Sequence, residues 1–270
     1  MSATLRHAAV AGRFYPRNRD VLESDVQSYL RSDRSPVPAL GCVAPHAGYM
    51  YSGHVAGAVY AALDPPLHCI VMCPNHTGMG RPLAVMSRGA WETPLGTVSI
   101  DSNLAESLKR NFPPLAEDAA AHSAEHAVEV QLPFLQVLQP SCCFVPIVLG
   151  IRELETLTAL GTAMAQVVAA QSHPVLIVAS SDMNHYEDDA TTRVKDHKAI
   201  ERILALDAPG LFHVVIKEDI SMCGFGPAVA MLTAVKLLGA RSAELVRYAT
   251  SGDVSGDRDM VVGYAGIVVR

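Results

Sequence analysis

The 270-residue sequence contains few charged and few aromatic residues and has no run of basic ones. Charged residues make up 18% of the chain and aromatic residues 6%, and the formal net charge is −6 at pH 7. Proteins that bind nucleic acid broadly need a basic face to neutralise phosphates, so we expect no nucleic-acid partner. Half of the residues are hydrophobic, which indicates a globular protein with a sizeable core.

Long apolar stretches and CxxC motifs are also missing. No apolar run approaches the ~20 residues that span a bilayer, and residues 1–7 lack the apolar core of a signal peptide. None of the six cysteines belongs to a CxxC pair. Five of them lie in strand-like runs, where cysteine usually acts as a small buried hydrophobe. We therefore predict a reduced, cytoplasmic protein that does not bind membranes.

Short apolar runs alternate with amphipathic stretches along the chain. The predicted strands are 40–44, 69–73, 83–86, 144–149, 175–179, 244–248 and 261–269. The predicted helices are 21–30, 54–63, 104–109, 125–138, 153–170, 193–206 and 228–238. Ser102 is a plausible helix cap, and Pro133 should kink or interrupt its helix. The pattern predicts a single α/β domain over residues 1–270, with a central, mostly parallel or mixed sheet flanked by helices.

Three of the predicted strands end in a loop that carries a histidine. These residues are His46, His76 and His185. Open α/β sheets bind ligands beyond the carboxyl ends of their strands. One histidine there would more often be structural, but three at equivalent strand ends can converge in space. The sequence therefore favours a metal or proton-transfer site at this end of the sheet.

Two further segments each allow two interpretations. His126 and Glu129 share one face of a predicted helix. They belong either to a solvated first turn or to a cleft wall that contacts substrate or metal ligands. Cys223 precedes a helix that begins near Pro227, where the helix N-terminus would stabilise a thiolate. By sequence alone, a buried cysteine in a glycine turn is the favoured alternative for Cys223.

Several other polar residues have ordinary structural interpretations. Asp253 lies in a Ser-Gly-Asp loop that is adequate turn chemistry by itself, so a role in the cleft is the less favoured alternative. The remaining histidines, among them His68 and His173, have no companion motif. We interpret these histidines as structural or solvated.

A series of short motifs follows in order along the chain: Ala-Gly-Arg-Phe-Tyr-Pro, Ala-Pro-His-Ala-Gly-Tyr, Pro-Asn-His-Thr-Gly, Glu-His, Gln-Leu-Pro-Phe-Leu, Pro-Ile-Val-Leu-Gly, Ser-Ser-Asp-Met-Asn-His-Tyr and Cys-Gly-Phe-Gly-Pro. In this order, the motifs resemble those of the Memo family. They cover essentially the whole chain. Any one of them is weak, but the ordered set is specific.

This resemblance implies the fold of the class III extradiol dioxygenases, which hold Fe(II) with two histidines and a glutamate and use another histidine as acid and base. By resemblance, His46 and His76 take the places of the two ligand histidines. Cys223 takes the place of the glutamate, and His185 that of the acid/base histidine. A thiolate in place of a carboxylate softens the site, so Fe(II) is favoured as the cofactor while copper and zinc remain alternatives.

Three functions are compatible with such a site. The favoured one is a metal-dependent, dioxygenase-like redox enzyme for a small organic substrate, in which His185 moves a proton and Asp182 and His126 line the cleft. The second is a non-catalytic adaptor that binds a peptide or small ligand in the same cleft. The third is a zinc hydrolase with Asp182 or His185 as base. The family label also implies a radical-SAM pathway partner in microbes, and a homo-oligomer is possible.

Overall fold

The computed structural model describes residues 4–270. The first three residues of the predicted domain lie outside this range. The strands are β1 (Leu5–Arg6), β2 (Gly41–Ala44), β3 (His68–Pro74), β4 (Leu83–Val85), β5 (Ala90–Thr93), β6 (Gly96–Ile100), β7 (Ala116–Glu117), β8 (Cys143–Leu149), β9 (Val175–Ser180), β10 (His185–Glu187), β11 (Ala243–Thr250) and β12 (Val261–Val269). The helices are α1 (Arg19–Tyr29), α2 (Tyr49–Ala61), α3 (Ser102–Asn111), α4 (Leu132–Leu138), α5 (Leu154–Ala169), α6 (Asp189–Leu204), α7 (Ala208–Lys217), α8 (Phe225–Leu237) and α9 (Gly252–Ser255).

The twelve strands within residues 4–270 belong to one mixed sheet. Its centre is parallel, in the order β6-β8-β3-β9-β2. Beyond β2, strand β12 runs antiparallel and pairs Ile267 with Val43. Because β8, β3, β9 and β2 share one direction and lie side by side, they finish at one end of the sheet, here called the carboxyl end, and begin at the other, the amino end. Strand β6 is displaced along the sheet, and its last residue, Ile100, pairs with Phe144 near the start of β8. The predicted α/β fold with a mixed sheet is confirmed.

Alternate residues of the central strands enter two separate cores. In β3, Ile70 and Met72 pack into a core with α3, α5, α7 and α8. Val71 and Cys73 of the same strand pack into a second core with α1, α2 and α4. This burial on both faces explains why the strand sequences are apolar throughout and do not alternate with polar residues.

Two details of the helix predictions are wrong. The helix predicted over 125–138 begins only at Leu132, after a 3-10 turn at Glu129–Gln131. Pro133 lies in the first turn of α4, where its missing N–H leaves no helical hydrogen bond unmade. Ser102 is the first residue of α3, and the cap is Asp101, whose carboxylate accepts a hydrogen bond from the Leu104 amide.

Several elements have no counterpart among the predicted ones: the short strands β1, β7 and β10, the short helix α9, helix α7 and the β5–β6 hairpin. Helix α7 opens with Pro209 and Gly210, which resemble a turn in sequence. A proline in the first turn is compatible with a helix, and Asp207 caps this one by accepting from the Gly210 amide. In the hairpin, Thr93 Oγ1 accepts from the Leu95 amide and closes the turn.

The cysteines follow the expected pattern with one difference. Cys42, Cys69, Cys73 and Cys142 are buried, whereas Cys143 is only half-buried at the start of β8. All six cysteines are free thiols. Within residues 4–270, no helix combines the length and the apolar character that a bilayer crossing requires.

Candidate metal centre

Three of the predicted site residues meet at the carboxyl end of the sheet. His46 follows β2, His76 follows β3, and Cys223 lies in the turn before α8. One donor atom from each lies within 4.8 Å of the others. His46 Nε2 is 3.2 Å from Cys223 Sγ, and the His46 and His76 ring centroids are 5.0 Å apart. A tetrahedral ion bound at ~2.0 Å to nitrogen and ~2.3 Å to sulfur separates such donors by about 3.5 Å, so the set fits one ion.

Hydrogen bonds fix the tautomer of His46. The Ser180 hydroxyl donates to the Ala127 carbonyl at 2.6 Å and accepts from Gln131 Nε2 at 2.9 Å. Since its single proton is used, Ser180 Oγ must accept from His46 Nδ1, which lies 2.9 Å away. Nε2 of His46 therefore keeps its lone pair and presents it to Cys223, as a metal-binding imidazole requires.

Glu125 performs the same task for His76. Its Oε1 lies 2.9 Å from His76 Nδ1, and its Oε2 accepts from the His76 amide at 2.7 Å. Burial opposes ionisation of Glu125, but the hydrogen bond and charge of His76, with the Ala127 amide, lower its pKa to about 2. An ionised carboxylate accepts the Nδ1 proton, which leaves Nε2 of His76 free as a ligand.

Cys223 is held against the end of β9 by a close backbone approach. The Gly224 amide donates to Ser181 Oγ at 3.0 Å, and a Cβ at Gly224 would lie 2.4 Å from the Ser180 carbonyl oxygen. Burial, followed by the charge of Asp182, raises the pKa of the Cys223 thiol well above its usual range. The predicted stabilisation of a thiolate by the helix N-terminus is therefore outweighed, and Cys223 would lose its proton only as a cation binds.

His185 and Asp182 border this group. His185 Nδ1 donates to the Ser221 carbonyl at 2.9 Å, which leaves the Nε2 lone pair free to take a proton. Burial lowers the pKa of His46 most. The charge of His76, and to a smaller extent that of His185, lower it further. Asp182 Oδ1 accepts from the amides of His46 and Ala47 at 2.7 and 3.3 Å, so this carboxylate holds the loop that carries the ligand.

His126 packs against both histidines of this group, with its ring centroid 5.4 Å from that of His46. Its ring stacks on His76 with centroids 4.7 Å apart and contacts Phe14 at 4.5 Å. Burial, followed by the charge of His46, lowers the pKa of His126 to about 4. With His76 and Glu125 it forms a second compact donor group. The oxygens of Glu125 already serve His76 and the backbone, so this second group is the poorer candidate.

Two acidic residues considered from the sequence lie elsewhere. Glu129 shares no helical face with His126, because residues 125–128 are not helical. It is buried beside Arg6 and accepts from Tyr15 Oη at 2.5 Å, so it is part of the core. Asp253 pairs with Arg193 at 2.8 Å and caps a turn through the Thr250 amide. These contacts correspond to the turn role that the sequence favoured for Asp253.

Sequence reasoning missed the residues that orient the histidines. Glu125 immediately precedes His126 in a motif that drew attention, yet its partner His76 is 49 residues away. Ser180 likewise contacts His46, and Gln131 contacts Ser180, only through the fold. No local pattern identifies such partners.

With this geometry in view, the chain can be compared with known proteins. A family model described as "Memo-like protein" matches residues 6–268. This chain belongs to the Memo-like family. The family predicted from the ordered motifs is thereby confirmed.

Curated Memo-like relatives match the chain over nearly its full length. It is 44% identical to a MEMO1 family protein of Methanopyrus kandleri, over 98% of this chain and 99% of that one. It is also 44% identical to one of Methanosarcina barkeri, over 98% and 100%. Among solved structures, an uncharacterized protein from Escherichia coli K12 has a TM-score of 0.52 at 13% identity, over 83% of this chain and 98% of that chain. That likeness concerns the fold alone.

Proposed function

We propose that this Memo-like protein is a metal-dependent redox enzyme that acts on a small organic molecule. In this proposal His46, His76 and Cys223 are the metal ligands, Fe(II) is the favoured ion and copper is the alternative. One observation carries the proposal: two imidazoles and a thiol converge within 4.8 Å. Both imidazoles have Nδ1 engaged by the protein, so their Nε2 atoms are prepared as ligands before any ion arrives.

The donor chemistry supports a redox metal. Imidazole suits iron, copper and zinc, and a thiolate selects softer ions over magnesium or calcium. A bound Fe(II) or copper ion would exchange electrons with dioxygen or an organic molecule at the coordination positions that three protein ligands leave open. The chain itself supplies a fixed, partly buried position for such an ion.

A cleft beside Cys223 offers room for the substrate. Its volume is about 330 Å³, and its lining includes Asn75, Arg152, Ser221, Cys223 and Phe225. This volume is at the small end of the range for small-molecule sites. A molecule bound there would contact the ligand-bearing turn, while the Arg152 guanidinium, 5.2 Å from the centre of the Phe225 ring, contributes a positive charge to the wall.

His185 is the proposed acid/base group. Its Nδ1 proton is engaged by the Ser221 carbonyl, so Nε2 is the atom that takes or returns a proton. Ser221 Oγ also accepts from the His185 amide at 2.7 Å, which fixes the residue at both ends. Asp182 holds the His46 loop, and His126 packs against His76 and excludes water from that side.

Anaerobic reconstitution tests the proposal. Chelator-treated protein is loaded with Fe(II) or copper, and bound metal is measured by elemental analysis. We expect His46→Ala, His76→Ala and Cys223→Ser each to weaken binding at this site by about 100-fold or more, beyond the 10–100-fold typical of losing an outer partner. His7→Gln is the matched control, because His7 pairs with Glu92 on the surface with 75% of its side chain exposed.

Dioxygen uptake by the loaded protein, with catechol or ascorbate as the reductant, then tests turnover. His185→Gln should retain the metal and lose uptake. Unchanged metal binding in all three ligand variants would overturn the proposal, as would loaded wild type that consumes no more dioxygen than His46→Ala. Ester hydrolysis by a zinc-loaded form without dioxygen uptake would favour the hydrolase. A peptide that binds in calorimetry without turnover would favour the adaptor.

We also propose a cytoplasmic location, which the six free thiols support. The predicted radical-SAM partner and the homo-oligomer remain predictions. A pull-down from a microbial relative of this chain, followed by mass spectrometry, tests the former, and light scattering tests the latter.

A further inference from the structure

A second group of metal-binding side chains lies at the amino end of the sheet, opposite the proposed redox site. His68 is the first residue of β3 and Cys143 the first of β8, and the two are register partners. Asp101 follows β6, which also pairs with β8. His173 precedes β9, the other neighbour of β3. Four segments of the chain therefore bring one donor each to the same place.

His68 contacts the other three side chains. His68 Nδ1 is 2.6 Å from Asp101 Oδ2 and 3.2 Å from Cys143 Sγ, and that sulfur is 3.9 Å from the same carboxylate oxygen. The ring of His173 stacks on that of His68 with centroids 3.7 Å apart. One donor atom each from His68, Asp101 and His173 lies within 4.8 Å of the others.

Two features distinguish this group from an ordinary hydrogen-bonded pair. His173 Nε2 is buried and has no hydrogen-bond partner among the described residues, which is uncommon for a ring nitrogen. Asp101 is fixed from its other side, since Oδ1 caps α3 through the Leu104 amide and leaves Oδ2 for the cluster. A cation would give His173 Nε2 a partner and would bind Asp101 Oδ2 in place of its hydrogen bond to His68.

We propose that His68, Asp101, His173 and Cys143 form a second metal site, and that its ion is Zn²⁺. Two imidazoles, one carboxylate and one thiolate are the donors that tetrahedral zinc takes in structural sites. Zinc binding replaces the short His68–Asp101 hydrogen bond. The Nδ1 proton moves to Nε2 of His68, and the Cys143 thiol releases its proton to solvent.

The position suggests what such an ion would do. It would join the first residues of β3 and β8, the start of α3 and the loop before β9 at a single point. The His68 and Asp101 side chains are 20% and 10% exposed, so an ion could enter from solvent and still be largely enclosed. All four donors are protein atoms, which closes the coordination shell and favours a structural role over a catalytic one.

Zinc stoichiometry distinguishes the two ends of the sheet. The full chain is stripped with chelator, titrated with Zn²⁺ alone and measured by elemental analysis after gel filtration. We expect two ions in wild type, one in His173→Gln, one in His76→Ala and none in the double variant. His213→Gln changes an exposed histidine of α7 and serves as the control with two ions. Circular dichroism of the metal-free proteins verifies that each variant folds.

Cobalt spectroscopy provides a second measurement. In a Cys223→Ser background, Co²⁺ should still give a thiolate-to-cobalt absorption band, and adding Cys143→Ser should remove it. Two zinc ions in His173→Gln would overturn the proposal, as would a single wild-type ion that only His76→Ala removes. A single ion that only His173→Gln removes would support this site and refute the proposed redox site, so the two failures are distinguishable.

Discussion

Histidines cluster at both ends of the sheet, but their hydrogen-bonding environments differ. At the carboxyl end, His46 is 2% exposed, and a separate protein acceptor holds its Nδ1 atom, as another holds that of His76. At the amino end, His68 and Asp101 hydrogen-bond directly to each other, and a second imidazole stacks on the first. At the carboxyl end, buried residues outside the donor group orient the histidines. At the amino end, the donors contact one another.

This difference indicates that the carboxyl end of the sheet gives up stability in exchange for chemistry. Glu125, Asp182 and Asp196 are all buried acidic residues near the carboxyl ends of the strands or their loops. Burying such groups destabilises a protein unless each is fully paired. The amino-end donors have no comparable network: His68, Asp101 and Cys143 contact one another, and His173 stacks on His68. The predictions below test that contrast.

Asp196→Asn should have the largest effect. Asp196 accepts from the Asn184 amide and from Tyr248 Oη, and burial raises its pKa to about 7. Below pH ~4, Asp196 is protonated in both the folded and the unfolded state, so its full contribution to the free energy of unfolding is present. As the pH rises toward 7, this carboxyl group ionises first in the unfolded chain. The free energy of unfolding therefore decreases. We expect the variant to exceed wild type by roughly 1–4 kcal/mol at pH 8 and to converge with it in acid.

Urea unfolding at several pH values measures this difference. Asp64→Asn, at an exposed aspartate, is the control and should follow wild type throughout. If the free energies of unfolding of wild type and Asp196→Asn depended on pH in the same way, the expectation would be contradicted. The view that buried acidic residues lower stability at the carboxyl end would then be weakened.

Glu125→Gln should have the next largest effect. The amide cannot supply the negative charge that holds the Nδ1 proton of His76, so we expect metal affinity at the carboxyl end to fall about 10–100-fold. Competition with a coloured chelator measures the affinity. Glu92→Gln alters an exposed carboxylate 2.7 Å from His7 Nδ1 and should change nothing. Equal loss of metal at the amino end would remove the distinction between the two sites.

Ser180→Ala should have the smallest effect. It removes one neutral acceptor from His46 Nδ1, and a neutral hydrogen bond contributes about 0.5–1.5 kcal/mol, or about 2–10-fold in affinity. The same competition assay measures this change. A loss as large as that of Glu125→Gln would mean that the tautomer of His46 contributes more than the charge beside His76.

The sequence was most informative where function follows the ends of strands. His46, His76 and His185 could be grouped because parallel strands deliver their following loops to one end of the sheet. Cys223 could be added only through the family resemblance, because packing of Gly224 against Ser180 and Ser181 brings it there. Residues 177 positions apart, His46 and Cys223, have no local signal of contact.

The amino-end cluster illustrates the limit most clearly. The sequence indicates a structural or solvated role for His68 and His173, because neither has a motif around it. Their proximity depends on the register between β3, β8 and β9 and on a cap at the start of α3. Register follows from how the two cores pack, and single-sequence patterns do not determine it. The same reasoning explains why the short β5–β6 hairpin was missed.

Pairing of β2 with β12 has a consequence for how the chain reaches its native state. Val43 pairs with Ile267, so β2 can complete its pairing only when the much later strand β12 is present. Contacts between such distant segments require the closure of a long loop and are associated with slow folding. During synthesis, that side of β2 would remain without a neighbour until β12 has been translated. A ribosome-bound nascent chain should therefore depend on chaperones until then.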